Sequence, residues 1–294
     1  MTPLTLRHGD LSFSAHAAGA GPTVLCLHGF PDHSRSFRFQ LPAFARAGYR
    51  GVAATLRGYE PSSLPSDGDY RWLRMAEDVV GWIDDLGVDR VHLVGHDWGA
   101  VIGYCVAALW PRRLHSLTTL AVAHPGRLAR EIPLRRPGQL AKSWYMLFFQ
   151  MRGVADAVVA RRSGAFIERL WHDWSPGWEL PESEMASIKA TFARPGVVRA
   201  ALGYYRAMMD LGSKDARAIW ARLERPIEVP TLALTGALDG CMDTRLHDTA
   251  MRLADFPRGL RVVRIFGAGH FLHQEKPEEV SDEILDWLRA APSA

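Results

Sequence analysis

The sequence predicts an α/β architecture: a mostly parallel sheet of eight strands, helices on both of its faces, and a helical lid inserted after the sixth strand. Two observations carry this expectation. Short runs such as Thr23-Val24-Leu25-Cys26-Leu27 are apolar throughout, as strands buried on both faces must be, and they alternate with segments of helical periodicity. That rhythm then breaks. From His124-Pro125 to about residue 223 the pattern is helical and aromatic, and Trp144, Trp171, Trp174, Trp178 and Trp220 are half of the chain's 10 tryptophans. The expected divisions are a first core part over residues 1–124, a lid over 125–223 and a second core part over 224–294.

Taken in order, residues 4–7 and 11–17 alternate as two strands, and residues 23–27 follow as the third. The third strand exits into the turn His28-Gly29-Phe30-Pro31. Ser34 and Ser36 are candidate caps for a helix through residue 45, which Gly48 closes, and residues 49–54 form the next strand. Gly, Pro and Ser fill a loop over 57–68. Asp69 is the candidate cap of an amphipathic helix over 70–86, ended by Gly87. Strand 90–94, helix 100–110 and strand 114–122 follow. Beyond the lid come strands 231–236 and 261–265 and a closing helix over 277–289.

Composition bounds the function. At 294 residues, 48% hydrophobic and 23% charged, the chain reads as an ordinary globular protein able to bury a sizeable core. The net charge is +3, with Lys142, Lys189, Lys214 and Lys276 the only lysines, a skew that reads as the codon bias of a GC-rich genome. No basic stripe with interleaved aromatics marks a nucleic-acid partner. The densest basic stretch, residues 127–142, follows Gly126, contains Pro133, Pro137 and Gly138, and is expected to be a solvated loop. Cys26, Cys105 and Cys241 are odd in number and scattered, so a reducing compartment and no metal site are expected. The first 13 residues lack an apolar signal core, and no run approaches the roughly 20 apolar residues of a membrane span, so the expected location is the cytoplasm.

The chemistry is concentrated in Gly95-His96-Asp97-Trp98-Gly99, which joins an apolar strand to a helix. Strand, sharp glycine-flanked turn and helix form a nucleophile elbow, whose hydrolase form carries serine at the centre. Here the central residue is aspartate. A carboxylate with a reference pKa of roughly 3.9 needs no base to become a nucleophile at neutral pH, and it suits displacement at a saturated carbon. Asp239, three residues beyond the strand ending at Gly236, and His270, in Gly267-Ala268-Gly269-His270-Phe271, complete the chain order nucleophile, acid, base. All three fall beyond carboxyl ends of strands, where open α/β sheets place their sites. Asp243 and His273 are the nearest competitors for the second and third roles. The turn His28-Gly29-Phe30-Pro31 fits an oxyanion hole made by the backbone N–H groups of Phe30 and Trp98.

With these motifs the chain resembles the α/β-hydrolase-fold epoxide hydrolases over nearly its whole length. The matching residues are His28-Gly29-Phe30-Pro31-Asp32, Leu56-Arg57-Gly58-Tyr59, Gly95-His96-Asp97-Trp98-Gly99-Ala100, Tyr204-Tyr205-Arg206, and Gly269-His270 with Glu275-Lys276-Pro277-Glu278. The resemblance implies that two lid tyrosines, Tyr145 and Tyr205, hold and protonate the epoxide oxygen. Two phenols with reference pKa near 10 can bond that oxygen and supply its proton while remaining neutral. Tyr204 is expected to pack away from the cavity. The chain departs from the family at Thr55, where Asp is common, and in the flanks of the loop Gly236-Ala237-Leu238-Asp239-Gly240-Cys241.

The expected reaction is hydrolysis of an apolar epoxide to a vicinal diol through an ester on Asp97, which water activated by His270 then cleaves. No metal or organic cofactor is called for. Trp98, Trp144, Phe148 and Phe149, with Met146 and Trp178, are candidate lining residues. The principal rival is a haloalkane or haloacid dehalogenase using the same nucleophile. Against it, Phe30 stands where haloalkane dehalogenases often place Asn, and Trp98 stands where haloacetate enzymes typically place Arg. A serine esterase lacks its serine, and a non-catalytic binding protein would be expected to show a damaged triad. Monomer and homodimer both remain open.

Overall fold

The computed structural model describes residues 1–161, 164–210 and 212–290. Among them, eight strands form one sheet: β1 (Thr2–His8), β2 (Leu11–Ala18), β3 (Thr23–Leu27), β4 (Arg50–Ala54), β5 (Val91–His96), β6 (Leu114–Leu120), β7 (Thr231–Gly236) and β8 (Leu260–Ile265). Their spatial order is β1-β2-β4-β3-β5-β6-β7-β8. β2 pairs antiparallel with β1 and β4, and every other pairing is parallel. The sheet is thus an eight-stranded, mostly parallel one, as the apolar runs foretold.

Two faces need two covers. On β3, Leu25 and Leu27 belong to one buried cluster and Val24 and Cys26 to another, the period-2 division expected of a strand with apolar layers on both sides. The first cluster takes in α2 (Trp72–Asp85) and α3 (Trp98–Leu109), and the second takes in α1 (Gln40–Arg46) and the C-terminal helix Pro277–Ala290. Each large apolar side chain so covered contributes about 1.5–3 kcal/mol. Among the described residues between β6 and β7 lie eight helices: α4 (Pro125–Arg135), α5 (Gly138–Lys142), α6 (Trp144–Phe148), α7 (Val154–Val159), α8 (Ala165–Trp174), α9 (Glu182–Phe192), α10 (Val197–Met208) and α11 (Lys214–Leu223). The short α12 (Leu246–Ala250) and α13 (Leu272–Glu275) and the long α14 (Pro277–Ala290) complete the chain. No helix of the described residues is long and apolar enough to cross a membrane.

Three local expectations need correction. Residues 127–142 are helical, not a loop: Pro125 opens α4 at a position where its missing N–H costs nothing, and Pro133 falls in the last turns, two residues before the helix stops. The arginines that made the stretch look solvated find acids elsewhere, Arg127 on Asp255 and Arg130 on Glu224. Ser34 and Ser36 cap no α-helix. His33 Nδ1 accepts the Arg35 N–H at the head of a 3-10 turn, Ser34–Phe37, and α1 begins later at Gln40. Asp69 accepts the Arg71 N–H at 3.0 Å, one turn ahead of α2, which has no side-chain cap.

Candidate active site

β5 passes into α3 through a single residue, Asp97, at φ 51 and ψ −116. A side chain in such a conformation costs of the order of 1–3 kcal/mol unless its surroundings enforce it. They do here. A Cβ on Gly95 would strike the backbone of Gly99, and one on Gly99 would strike the Leu27 carbonyl, so only glycine lets the chain fold back this tightly. The Asp97 N–H donates to the Leu120 carbonyl at 3.2 Å, and the Asp97 carbonyl accepts the Ala100 N–H at 2.9 Å. The carboxylate is thereby held beyond the strand end, 8% exposed, where its Oδ1 accepts the N–H of Phe30 at 2.7 Å. Trp98 is the first residue of α3, so its N–H has no intrahelical partner.

The structure brings Asp239 and His270 to this carboxylate. Asp239 Oδ1 accepts the N–H groups of Cys241 and Met242 at 2.7 and 2.8 Å, which leaves Oδ2 to accept from His270 Nδ1 at 2.9 Å. The His270 N–H donates to the Trp174 carbonyl at 3.0 Å. With Nδ1 so engaged, Nε2 points toward Asp97 Oδ2 at 3.6 Å and makes no direct hydrogen bond. Burial alone pulls the His270 pKa down, but the charge and hydrogen bond of Asp239, joined by the nearby charge of Asp97, outweigh it and raise the value to about 10. The competitors are engaged elsewhere. Asp243 pairs with Arg245 at 3.0 Å, and His273 Nε2 meets Ser36 Oγ at 2.6 Å while burial holds its ring neutral.

Tyr145 on α6 and Tyr205 on α10 are both buried, with ring centroids 5.8 Å apart. The Tyr205 hydroxyl has no hydrogen-bond partner among the described residues, and the Tyr145 hydroxyl lies 3.3 Å from Cys241 Sγ. Burial, reinforced by the Asp97 charge, pushes both phenols well above their ordinary pKa, so both stay protonated. Tyr204, one residue earlier, spends its hydroxyl on the Arg57 carbonyl. The Phe30 ring meets Tyr205 at 5.5 Å, Phe149 at 5.5 Å and Phe192 at 5.6 Å, and Trp98 meets Tyr205 at 4.9 Å. Phe148 is half-buried. Trp144 is 40% exposed, packed on Phe148 and Phe166 with the Arg169 guanidinium over it, so it belongs to an outer aromatic cluster and not to the surroundings of Asp97.

Sequence reasoning missed three neighbours. Trp174 sets its ring 5.1 Å from His270 and 5.0 Å from Tyr145, Phe192 flanks Phe30, and Cys241 touches Tyr145. Only Cys241 carried a signal, its place in the loop of Asp239. Two buried groups of metal-type ligands occur among the described residues: Asp239, Cys241 and His270, and Asp32, His96 and His273. The first group's donors are engaged as above. In the second, burial raises Asp32 to about 7, His96 Nε2 donates to the His270 carbonyl at 3.0 Å, and the Nδ1 atoms of His96 and His273 have no partner.

An eight-stranded sheet with an acid-bearing elbow at the end of β5 is the architecture of the alpha/beta hydrolase fold, and that family matches residues 22–277. Epoxide hydrolase 3 of Siraitia grosvenorii is 32% identical, covering 97% of this chain and 97% of its own length. Epoxide hydrolase A of Mycobacterium tuberculosis is 31% identical over 91% of this chain and 90% of its own. The crystal structure of a mutant of an epoxide hydrolase from Bacillus megaterium, complexed with its product, superimposes with a TM-score of 0.84 at 27% identity, covering 97% of this chain and 100% of that one. The chain belongs to the epoxide hydrolase family of the alpha/beta hydrolase fold.

Proposed function

We propose that this protein converts an apolar epoxide into a vicinal diol by way of an ester on Asp97. The observation that carries the reading is one carboxylate at a strained elbow, faced by the His270–Asp239 pair and near two buried, protonated phenols. Asp97 attacks one ring carbon, the C–O bond breaks, and the ring oxygen takes a proton from Tyr145 or Tyr205. The tyrosinate is reprotonated at the expense of the His270 imidazolium. Esterification cancels the Asp97 charge that helped hold this proton, so the imidazole becomes a base as water has to be activated. His270 Nε2 then takes a proton from water and hydroxide adds to the ester carbonyl. The resulting oxyanion falls to the N–H groups of Phe30 and Trp98, each worth roughly 3 kcal/mol in related chemistry. Collapse passes the carboxyl proton to the departing alkoxide, releasing the diol with Asp97 anionic and His270 protonated again.

Replacing Tyr145 or Tyr205 by Phe is expected to slow ring opening about 10- to 100-fold, and replacing both about 10³-fold, because each removes a donor to the developing alkoxide. Single-turnover kinetics on a panel from styrene oxide to long-chain fatty epoxides read this. The same double variant tests the rival reaction, for which the buried indole N–H of Trp98, beside Tyr205, offers a halide donor. Halide release from chlorinated or fluorinated substrates, undiminished in that variant, would favour dehalogenation.

The proton cycle also sets a pH dependence. Ring opening consumes the His270 proton, so its rate is expected to hold through neutrality and then to fall about tenfold per pH unit above the His270 pKa of about 10. Ester hydrolysis needs the neutral ring and is expected to weaken on the acid side instead. Stopped-flow tryptophan fluorescence separates the two steps. A ring-opening rate that climbs with pH across neutrality would contradict the proposed cycle.

In this reading residues 125–223 act as the lid, since they supply both phenols and the Phe149, Trp174 and Phe192 rings around Phe30, whose N–H donates to Asp97. The buried, unpaired thiols of Cys26, Cys105 and Cys241 suit a reducing compartment such as the cytoplasm.

A further inference from the structure

The loop after β7 is tied to the helical block at several points. Gln139 of α5, 1% exposed, donates its amide to the Cys241 carbonyl at 2.8 Å and accepts the Asp243 N–H at 2.6 Å. Lys142, at the end of the same helix, donates to the Asp239 carbonyl at 2.9 Å. Three residues further on, Tyr145 sets its hydroxyl against Cys241 Sγ at 3.3 Å. One loop therefore holds both the carboxylate that orients His270 and the thiol that touches the phenol. A phenol has one proton to give. If it went to sulfur, it would be turned away from substrate, so the productive arrangement has the thiol donating to the Tyr145 oxygen and the phenol proton free. Burial, with the charges of Asp239 and Asp97, keeps Cys241 a thiol and so keeps that donor in place.

We propose that Cys241 is a positioning residue for ring opening: its S–H holds the Tyr145 oxygen so that the phenolic O–H is presented to the epoxide. The proposal rests on the reading of the protein as an epoxide hydrolase and adds to it a residue that acts through Tyr145 alone. Cys241 touches neither Asp97 nor the ester in this scheme, so hydrolysis of the ester should not depend on it.

The test is single-turnover kinetics of the wild type, C241A, C241V, C241S, Y145F and the Y145F/C241V pair, with the panel epoxide that the wild type turns over fastest. C241A and C241V are expected to slow ring opening about tenfold with ester hydrolysis unchanged, and C241S, which keeps a donor, to restore most of the loss. In the Y145F background C241V should cost nothing further, because the oxygen it serves is gone. Equal ring-opening rates in C241A, C241V and wild type would overturn the proposal, as would the same C241V loss with and without Tyr145. Should C241V fail to fold, C241A against C241S makes the same decision. A wild type that turns over no epoxide would sink the underlying reading instead, and this inference with it.

Discussion

Replacing Asp97 by alanine is expected to abolish diol formation, a loss on the order of 10⁵-fold in kcat/KM, with the fold intact. No neighbour can substitute. The carboxylate of Asp239 is turned away, with Oδ1 held by two backbone N–H groups and Oδ2 by His270, and Asp32 is bound to His33 and Gln274. Alanine retains the elbow's positive φ, so its backbone strain persists, and the change takes a nearby charge from His270 and leaves the Phe30 N–H without its acceptor. That loss is worth about 1–3 kcal/mol. Activity and thermal melting together check the expectation: turnover should vanish while the melting temperature drops by only a few degrees. Residual turnover within about tenfold of wild type would remove Asp97 from the reaction.

His270→Gln is expected to stop the cycle halfway. Ring opening slows, because its proton source is gone, but ester hydrolysis slows far more, by about 10³- to 10⁴-fold, because no base remains to activate water. The enzyme should therefore gain the mass of one epoxide and hold it, visible by intact-protein mass spectrometry, while at most one equivalent of substrate disappears. The relevant geometry is the division of labour on the ring, with Nδ1 fixed at 2.9 Å from Asp239 and Nε2 left without a hydrogen bond. A variant that lost activity without ever carrying the adduct would place His270 in ring opening alone.

The legible part of the molecule was the part whose signals are local. β7 matches its sequence boundaries, residue for residue, because Leu232-Ala233-Leu234, flanked by β-branched threonines, is punctuated by Pro230 on one side and Gly236 on the other. The elbow was equally plain, since two glycines flanking a three-residue turn between an apolar strand and a helix are a local pattern, and Gly95 answers to the backbone of Gly99 four residues on. Residues 127–142 misled because their prolines and arginines were weighed without Asp255 and Glu224, nearly a hundred residues or more away, which anchor the helix. Trp174 and Phe192 were illegible for a related reason. Nothing near them in sequence marks an aromatic of residues 125–223 as facing His270 or Phe30, because that depends on how α8 and α9 pack against distant parts of the chain. Trp144 shows the converse, an aromatic beside the right tyrosine that ends on the outer surface.

The proposed mechanism requires that the side chain at the elbow itself become part of an intermediate. Enzyme in excess over epoxide, carried through one turnover in ¹⁸O-labelled water, should leave the heavy oxygen in the Asp97 carboxylate, read from the mass of the peptide that contains it, with unlabelled oxygen in the diol. Heavy oxygen in the diol alone, and none in that peptide, would mean that water attacks the epoxide directly and that no ester forms.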